Sequence, residues 1–240
     1  MRIVCSPCAR RGPAIEERGV MLEEVWPEIG NAWVSGVLVG SGSVIVQWLA
    51  PKAARLLRRL RAPDHLRLER RLAAILTADV VGYSRLVSAD EEGTHFRLLA
   101  SRREVIAPKI REHRGRIVKH TGDGALVEFG GVVDAVRCAL DVQRINHARN
   151  AAPPADRRIE LRIGVNLGDI IVTPDDDIYG HGVNVAARFE SLAPPGGICI
   201  SADAWRHARG AIAAEFVDLG EKRLKNIADP AHVFALSAGA

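Results

Sequence analysis

Aromatic residues make up only 5% of this 240-residue sequence, and cysteine occurs four times. So few flat rings exclude a base-stacking platform for single-stranded nucleic acid. Four cysteines are too few for a disulfide framework in a chain of this length. Cys138 and Cys199 fall in apolar helix and strand patterns and read as small core residues. Cys5 and Cys8 form a Cys-x-x-Cys pair with no second half and no βαβ setting, so no metal or redox role is expected there. Charge of one sign is scarce as well. The net charge is +4, and it is patchy, with a basic stretch at 52–71 and an acidic one at 16–28. A nucleic-acid-binding face would be more uniformly basic, so no nucleic acid partner is expected. There is no internal repeat and no low-complexity tract. What remains, 48% hydrophobic and 26% charged, is the composition of a globular chain able to bury a core.

One long apolar run stands out. Residues 32–50 carry no charge, are rich in Val, Leu and Ile, and are long enough as a helix to cross a hydrocarbon core of about 30 Å. Trp33 and Trp48 lie near its ends, where indole rings favour the membrane interface. Lys52, Arg55, Arg58, Arg59 and Arg61 follow at once, and this basic excess predicts a cytoplasmic C-terminal side. Gly36 and Gly40 have the small-residue spacing that lets two such helices pack closely. A buried soluble helix and a cleaved signal are the alternatives. The expected organisation is a poorly ordered 1–31, in which Met21 is a second candidate start, then a membrane span at 32–50. A basic linker at 51–70 and a folded domain at 71–240 follow. The protein is expected at the cytoplasmic membrane, or in the cytoplasm if the run does not insert.

From Leu72 the pattern becomes regular. A strand is predicted over 72–77, and Ser88-Ala-Asp-Glu91 has the form of a capping box opening a helix that Pro108 kinks before it ends near His113. A hairpin at 115–129 and a helix at 132–149 come next. Strands at 160–166 and 169–173 meet near Gly168, and a helix covers 183–192. A strand at 198–201, a short helix at 203–208 and strands at 215–219 and 233–236 finish the chain. The order β-α-β-β-α-β with additions predicts an α+β, ferredoxin-like fold with an antiparallel sheet.

The hairpin is the stretch around which chemistry gathers. Two apolar runs flank Thr121-Gly-Asp-Gly124, and Gly122 and Gly124 are expected to supply the positive φ of a tight turn. That places Asp123 at the tip of a rigid ribbon. A second aspartate, Asp79, ends the strand before Val-Val-Gly-Tyr-Ser. Two carboxylates at strand ends suit divalent cations beside a phosphate, although a structural hairpin and a strand-end cap use the same residues.

Three stretches taken together carry more. Asp79-Val-Val-Gly-Tyr-Ser84, Lys119-His-Thr-Gly-Asp123-Gly and Asp177-Ile-Tyr-Gly-His-Gly-Val-Asn184-Val-Ala-Ala-Arg188 follow one another at characteristic spacing. They resemble the catalytic domain of class III nucleotidyl cyclases, the adenylate and guanylate cyclases, over about residues 71–236. The bacterial branch is the nearest in pattern, with Ser84-Arg-Leu and Asp90-Glu-Glu after the first motif.

The resemblance implies a role for each residue. Asp79 and Asp123, with the Val80 carbonyl, would hold two Mg²⁺ or Mn²⁺ ions per site. The amides of Gly82, Tyr83 and Ser84 would meet the substrate phosphates. Lys119 and Asp177 match the base-selecting pair. A lysine donor and an aspartate acceptor complement adenine N1 and its 6-amino group, whereas guanine presents the opposite pattern. ATP is therefore the implied substrate. Asn184 would position the ribose, Arg188 would stabilise charge on the α-phosphoryl group, and Lys225 would reach the β- and γ-phosphates. Asn184 and Arg188 are four apart and share a helix face. The family draws these two sets from different subunits, so a homodimer with two equivalent sites is implied.

Overall fold

The computed structural model describes residues 68–237. The expected membrane span at 32–50, with its flanking segments, lies outside the described residues. Among those described, no helix is long and apolar enough to cross a membrane.

The first strand, β1 (Glu69–Val80), is the spine of the sheet. Three short helical segments follow, α1 (Tyr83–Ala89), α2 (Glu91–Ser101) and α3 (Ala107–Glu112), with a π-helical turn (Arg102–Ile106) between the last two. The hairpin strands are β2 (Arg116–Thr121) and β3 (Gly124–Phe129), and α4 is Val132–Arg149. Strand β4 (Leu161–Val172), the two-residue β5 (Ile178–Tyr179) and α5 (His181–Leu192) come next. The chain ends with β6 (Gly197–Ser201), α6 (Ala202–Ala208), β7 (Phe216–Lys222) and β8 (Ala231–Ser237). The sheet order is β2-β3-β1-β4-β6-β8-β7, with β5 paired to β4. Among the described residues only the β4–β6 pair is parallel. The first four strands take the βαββαβ order read from the sequence, and the later strands widen it into an open, mixed α+β sheet.

Alternation along β1 sorts its side chains to two faces. Ala74, Leu76, Ala78 and Val80 join the main core with Val136, Ala139 and Val142 of α4. Ala73 and Ile75 face the other way, against Ala186 of α5. Cys138 and Cys199 are fully buried, as expected of small core residues, and burial pushes their thiols up to about 12 and about 11. Glu128 is buried on β3 but not orphaned. It accepts from Arg116 Nη2 at 2.6 Å and pairs with Arg71.

Several boundaries differ from those expected, each for a physical reason. Helix α1 starts at Tyr83, and the cap of α2 is Asp90, whose Oδ1 accepts from Gly93 N at 2.9 Å; Ser88 instead donates to Ser84 O inside α1. Pro108 does not kink a single long helix. It lies in the first turn of α3, where its missing N–H costs nothing, and the π-helical turn before it absorbs the break. Residues 161–172 form one strand rather than two. Gly168 continues it, bare of a side chain where the backbone of Gly182 comes close. In the hairpin only Gly122 has positive φ, at 73°. Gly124 is required for a different reason, because a Cβ there would collide with the Ala78 carbonyl.

Candidate active site

The acidic residues come together at the C-terminal end of β1. Asp123 occupies the two-residue turn between Thr121 and Gly124, which face each other as the last pair of β2 and β3. Arg102, on the π-helical turn, donates to the carbonyls of Gly122 and Gly124 and so fastens that turn from behind. The Asp79 carboxylate neighbours that of Asp123. Burial and this like-charged neighbour raise the Asp123 carboxyl above the usual range. Asp79 sits opposite Arg162 in the β1–β4 register, and Arg162 Nη2 donates to its Oδ2 at 3.1 Å. Gly82, just beyond, is left-handed at φ 65° and is the residue from which α1 starts, so Tyr83 and Ser84 form its first turn.

Lys119 and Asp177 form the second group. A bulge between Ile117 and Lys119 shifts the β2 register and lets Val118 reach the apolar cluster beneath α5. Asp177 ends the turn after β4, which is closed by Thr173 N donating to the Asp177 carbonyl at 3.0 Å. Arg116 Nη1 ties the same turn down by donating to the Asp176 carbonyl at 2.7 Å. Ile178 N takes up Asp177 Oδ1, leaving Oδ2 to accept from Lys119 Nζ at 2.6 Å. The lysine also lies over the Tyr179 ring, 4.6 Å from its centroid. Burial works to raise the Asp177 carboxyl, but Lys119, Tyr179 and the Ile178 amide outweigh it and hold it low. The same bond holds the Lys119 ammonium above its usual pKa.

Helix α5 carries the third group. Asn184 is exposed and Arg188 half-buried, while Ala186 and Phe189 face the sheet and core. Arg188 Nε donates to the Lys225 carbonyl at 3.0 Å. Leu224, packed with Val185 and Phe189, anchors the loop that presents Lys225. Among the described residues no hydrogen bond or ion pair joins one of these three groups to another.

The profile of the adenylate and guanylate cyclase catalytic domain matches residues 69–237. The chain belongs to the class III nucleotidyl cyclases. The domain is 52% identical over 170 residues to "Putative adenylate cyclase 3" of Rhizobium meliloti, covering 71% of this chain and 29% of that protein. The chain thus spans less than a third of that relative's length. Its structure resembles the adenylate/guanylate cyclase/hydrolase crystal structure from Silicibacter pomeroyi, with a TM-score of 0.67, 44% identity, and coverage of 71% of this chain and 98% of that one. The adenylyl cyclase CyaB of P. aeruginosa has the same fold at a TM-score of 0.63 and 22% identity, with 73% and 98% covered.

Three residues of this cyclase domain escaped the sequence reading. Arg102 gave no signal, because its role comes from a π-helical turn. Arg162 is a charged residue in an otherwise apolar strand, Leu-Arg-Ile-Gly-Val, which is the one hint the sequence offered. Glu190 is four residues after the buried Ala186 and so faces the sheet; burial first, and Asp79 and Asp123 next, push its carboxyl up to about 7. A separate cluster of Glu112, His113 and Asp141 brings three ligand-type atoms within 4.8 Å of one another. Lys109 and Arg144 already neutralise its two carboxylates, so it has the character of an ion-pair network.

Proposed function

We propose that this domain is an adenylate cyclase, which converts ATP to 3′,5′-cyclic AMP and pyrophosphate. The ribose 3′-oxygen attacks the α-phosphorus, the bond to the bridging oxygen breaks, and pyrophosphate leaves. The observation that carries the reading is the Lys119–Asp177 pair, a donor and an acceptor held side by side by the fold. Adenine can exchange that contact for one from Lys119 to N1 and one from its 6-amino group to Asp177, with both polar groups still satisfied. Guanine would leave both unpaired, at about 1–3 kcal/mol each.

Divalent ions fit the acidic group. Two hard carboxylates adjoin there, one of them raised by burial and by its acidic neighbour, and this is the donor set Mg²⁺ or Mn²⁺ takes beside phosphate. Asp79, Asp123 and the Val80 carbonyl would hold them, and their chemistry is to acidify the ribose hydroxyl and screen the triphosphate. The amides of Gly82, Tyr83 and Ser84 meet the phosphates, Asn184 orients the ribose, and Arg188 and Lys225 face the charge that develops on the phosphoryl oxygens.

The three groups are not linked within one chain, and this supports a homodimer with two composite sites across an isologous interface. Residues 71–240 form the catalytic unit of this reading, and the apolar run at 32–50 its membrane anchor, checked by whether the protein pellets with membranes without detergent. The composite site is tested by mixing Asp79→Ala with Arg188→Ala, each inactive alone. Random reassortment into heterodimers should restore about a quarter of wild-type cyclic AMP formation, since half the dimers carry one intact site of two. No recovery from a mixture shown to exchange subunits would defeat the two-chain site.

A further inference from the structure

Helix α4 changes character along its inner face. Val136 and Ala139 pack into the core, but Gln143, Asn146 and the C-cap Asn150 continue the same helical spacing with amides. Gln143 and Asn146 are only 2% and 4% exposed, and buried amides cost free energy unless their polar atoms are paired. Their N–H groups are paired. Gln143 Nε2 donates at 2.9 Å to the carbonyls of both Leu161 and Gly197, bracketing the starts of β4 and β6. Asn146 Nδ2 donates to the Ile159 carbonyl at 2.7 Å, and Asn150 both donates to and accepts from the Ile159 backbone. Gln143 Oε1 is the exception, buried without a hydrogen-bond partner. These amides line a cavity of about 480 Å³, together with Arg158, Glu160, the turn before β6 and the last residue of β8. A volume of that order is typical of small-molecule sites. Arg158 and Glu160 are two apart where the chain straightens into β4, and both are half-buried. Among the described residues neither forms an ion pair, and the hydrogen bond of the Arg158 guanidinium is from Nε to the Pro153 carbonyl at 3.2 Å. His147, which is exposed, is the only other ionisable side chain in the lining. The lining thus offers an unpaired guanidinium, an unpaired carboxylate and a buried acceptor that lacks an N–H.

We propose that this cavity binds a small zwitterion of the α-amino acid class. The ligand's carboxylate meets the Arg158 guanidinium and its ammonium meets the Glu160 carboxylate, each a charge-assisted contact. An ammonium group has three N–H donors, so one of them supplies Gln143 Oε1 with the partner it lacks. An inorganic anion would satisfy Arg158 alone and be repelled by Glu160. A simple amine would satisfy Glu160 and be repelled by Arg158. The cavity wall meets the acidic end of the cyclase site through backbone, where Val81 N donates to the Glu160 carbonyl at 2.9 Å. Replacing the Glu160 side chain leaves that bond in place.

The test is thermal unfolding of the purified full chain with each common α-amino acid in turn, without nucleotide or metal. At least one should raise the midpoint by about 3 °C or more at about ten times its Kd, as mass action gives a ligand of the folded state. Isothermal titration then compares that amino acid with two analogues, the parent amine without the carboxyl group and the N-acetylated form. Each analogue loses one charged contact and should bind at least about tenfold more weakly. Arg158→Gln and Glu160→Gln should weaken binding to a similar extent, with unliganded midpoints within about 2 °C of wild type. If a variant does not fold, the two analogues carry the test with wild type alone. No shift from any amino acid, an analogue that binds as well as its parent, or folded variants with wild-type affinity would overturn the inference. An equal shift with phosphate or acetate would overturn it too, by reducing the site to an anion contact. No nucleotide is present, so a chain that makes no cyclic AMP would leave this result standing.

Discussion

Lys119 Nζ donates to Asp177 Oδ2 at 2.6 Å, joining a hairpin lysine to a carboxylate 58 residues further along the chain. Neither partner is placed by chance. The bulge in β2 sets the lysine, and the Arg116 contact to Asp176 sets the turn that ends in the aspartate. Asp177→Ala or Lys119→Ala should lower kcat/KM for ATP and cut the preference for ATP over GTP by about 10- to 100-fold, the equivalent of one or two mispaired polar groups. Steady-state kinetics with both nucleotides measures this directly.

Asp79→Ala and Asp123→Ala should each reduce cyclase activity at least about 100-fold, with the fold retained by circular dichroism. Asp123 is half-buried in a turn that Arg102 fastens through the backbone carbonyls of Gly122 and Gly124, so its side chain carries little of the fold. Wild-type-like turnover in either variant would remove that residue from the site.

Arg188→Ala should lower kcat by about 100-fold and move KM much less, because the charge it faces is largest in the transition state. The expected signature is the split between the two constants. A change confined to KM would assign Arg188 to ground-state binding.

Gly164→Ala should destabilise the domain by about 1–3 kcal/mol, seen as a lower midpoint in urea with an unchanged slope. The added methyl meets the backbone of α5 at Ala186 and Glu190, which has no flexible end to swing away. Activity should fall with stability, since α5 carries Asn184 and Arg188.

In EDTA the domain should lose stability as pH rises from about 4.5 to about 7. The unfolded chain releases the Glu190 proton near 4.5, and the folded one keeps it to about 7, so over that window the folded state binds more protons. Water at the partly exposed carboxyl screens the effect, leaving a loss on the order of 1 kcal/mol. Glu190→Gln should flatten this slope, making the variant the more stable form at pH 8 but not at pH 4.5, as chemical denaturation at both pH values would show.

The parts of the fold that were legible in the sequence are those set by local pattern. The pattern of 132–149 marked helix α4, and Thr-Gly-Asp-Gly marked the hairpin turn. What was hidden depends on contacts between distant segments. The single length of β4 is one case, because Gly168 marks the close approach of Gly182 rather than a break. The register that sets Arg162 against Asp79 is another, since nothing local in Leu-Arg-Ile-Gly-Val names its partner. All the candidate residues but Lys225 came from three motifs read together, which already paired them; the contacts that hold each pair, such as Lys119 Nζ on Asp177 Oδ2, came only with the fold.

The most direct measurement is cyclic nucleotide formation by the purified protein, with ATP and GTP supplied separately in Mn²⁺ and Mg²⁺. Cyclic AMP from ATP, abolished by chelation and not matched by cyclic GMP from GTP, is the predicted result. Equal or greater turnover of GTP, or no product from either in a protein that dimerises and binds nucleotide, would contradict it.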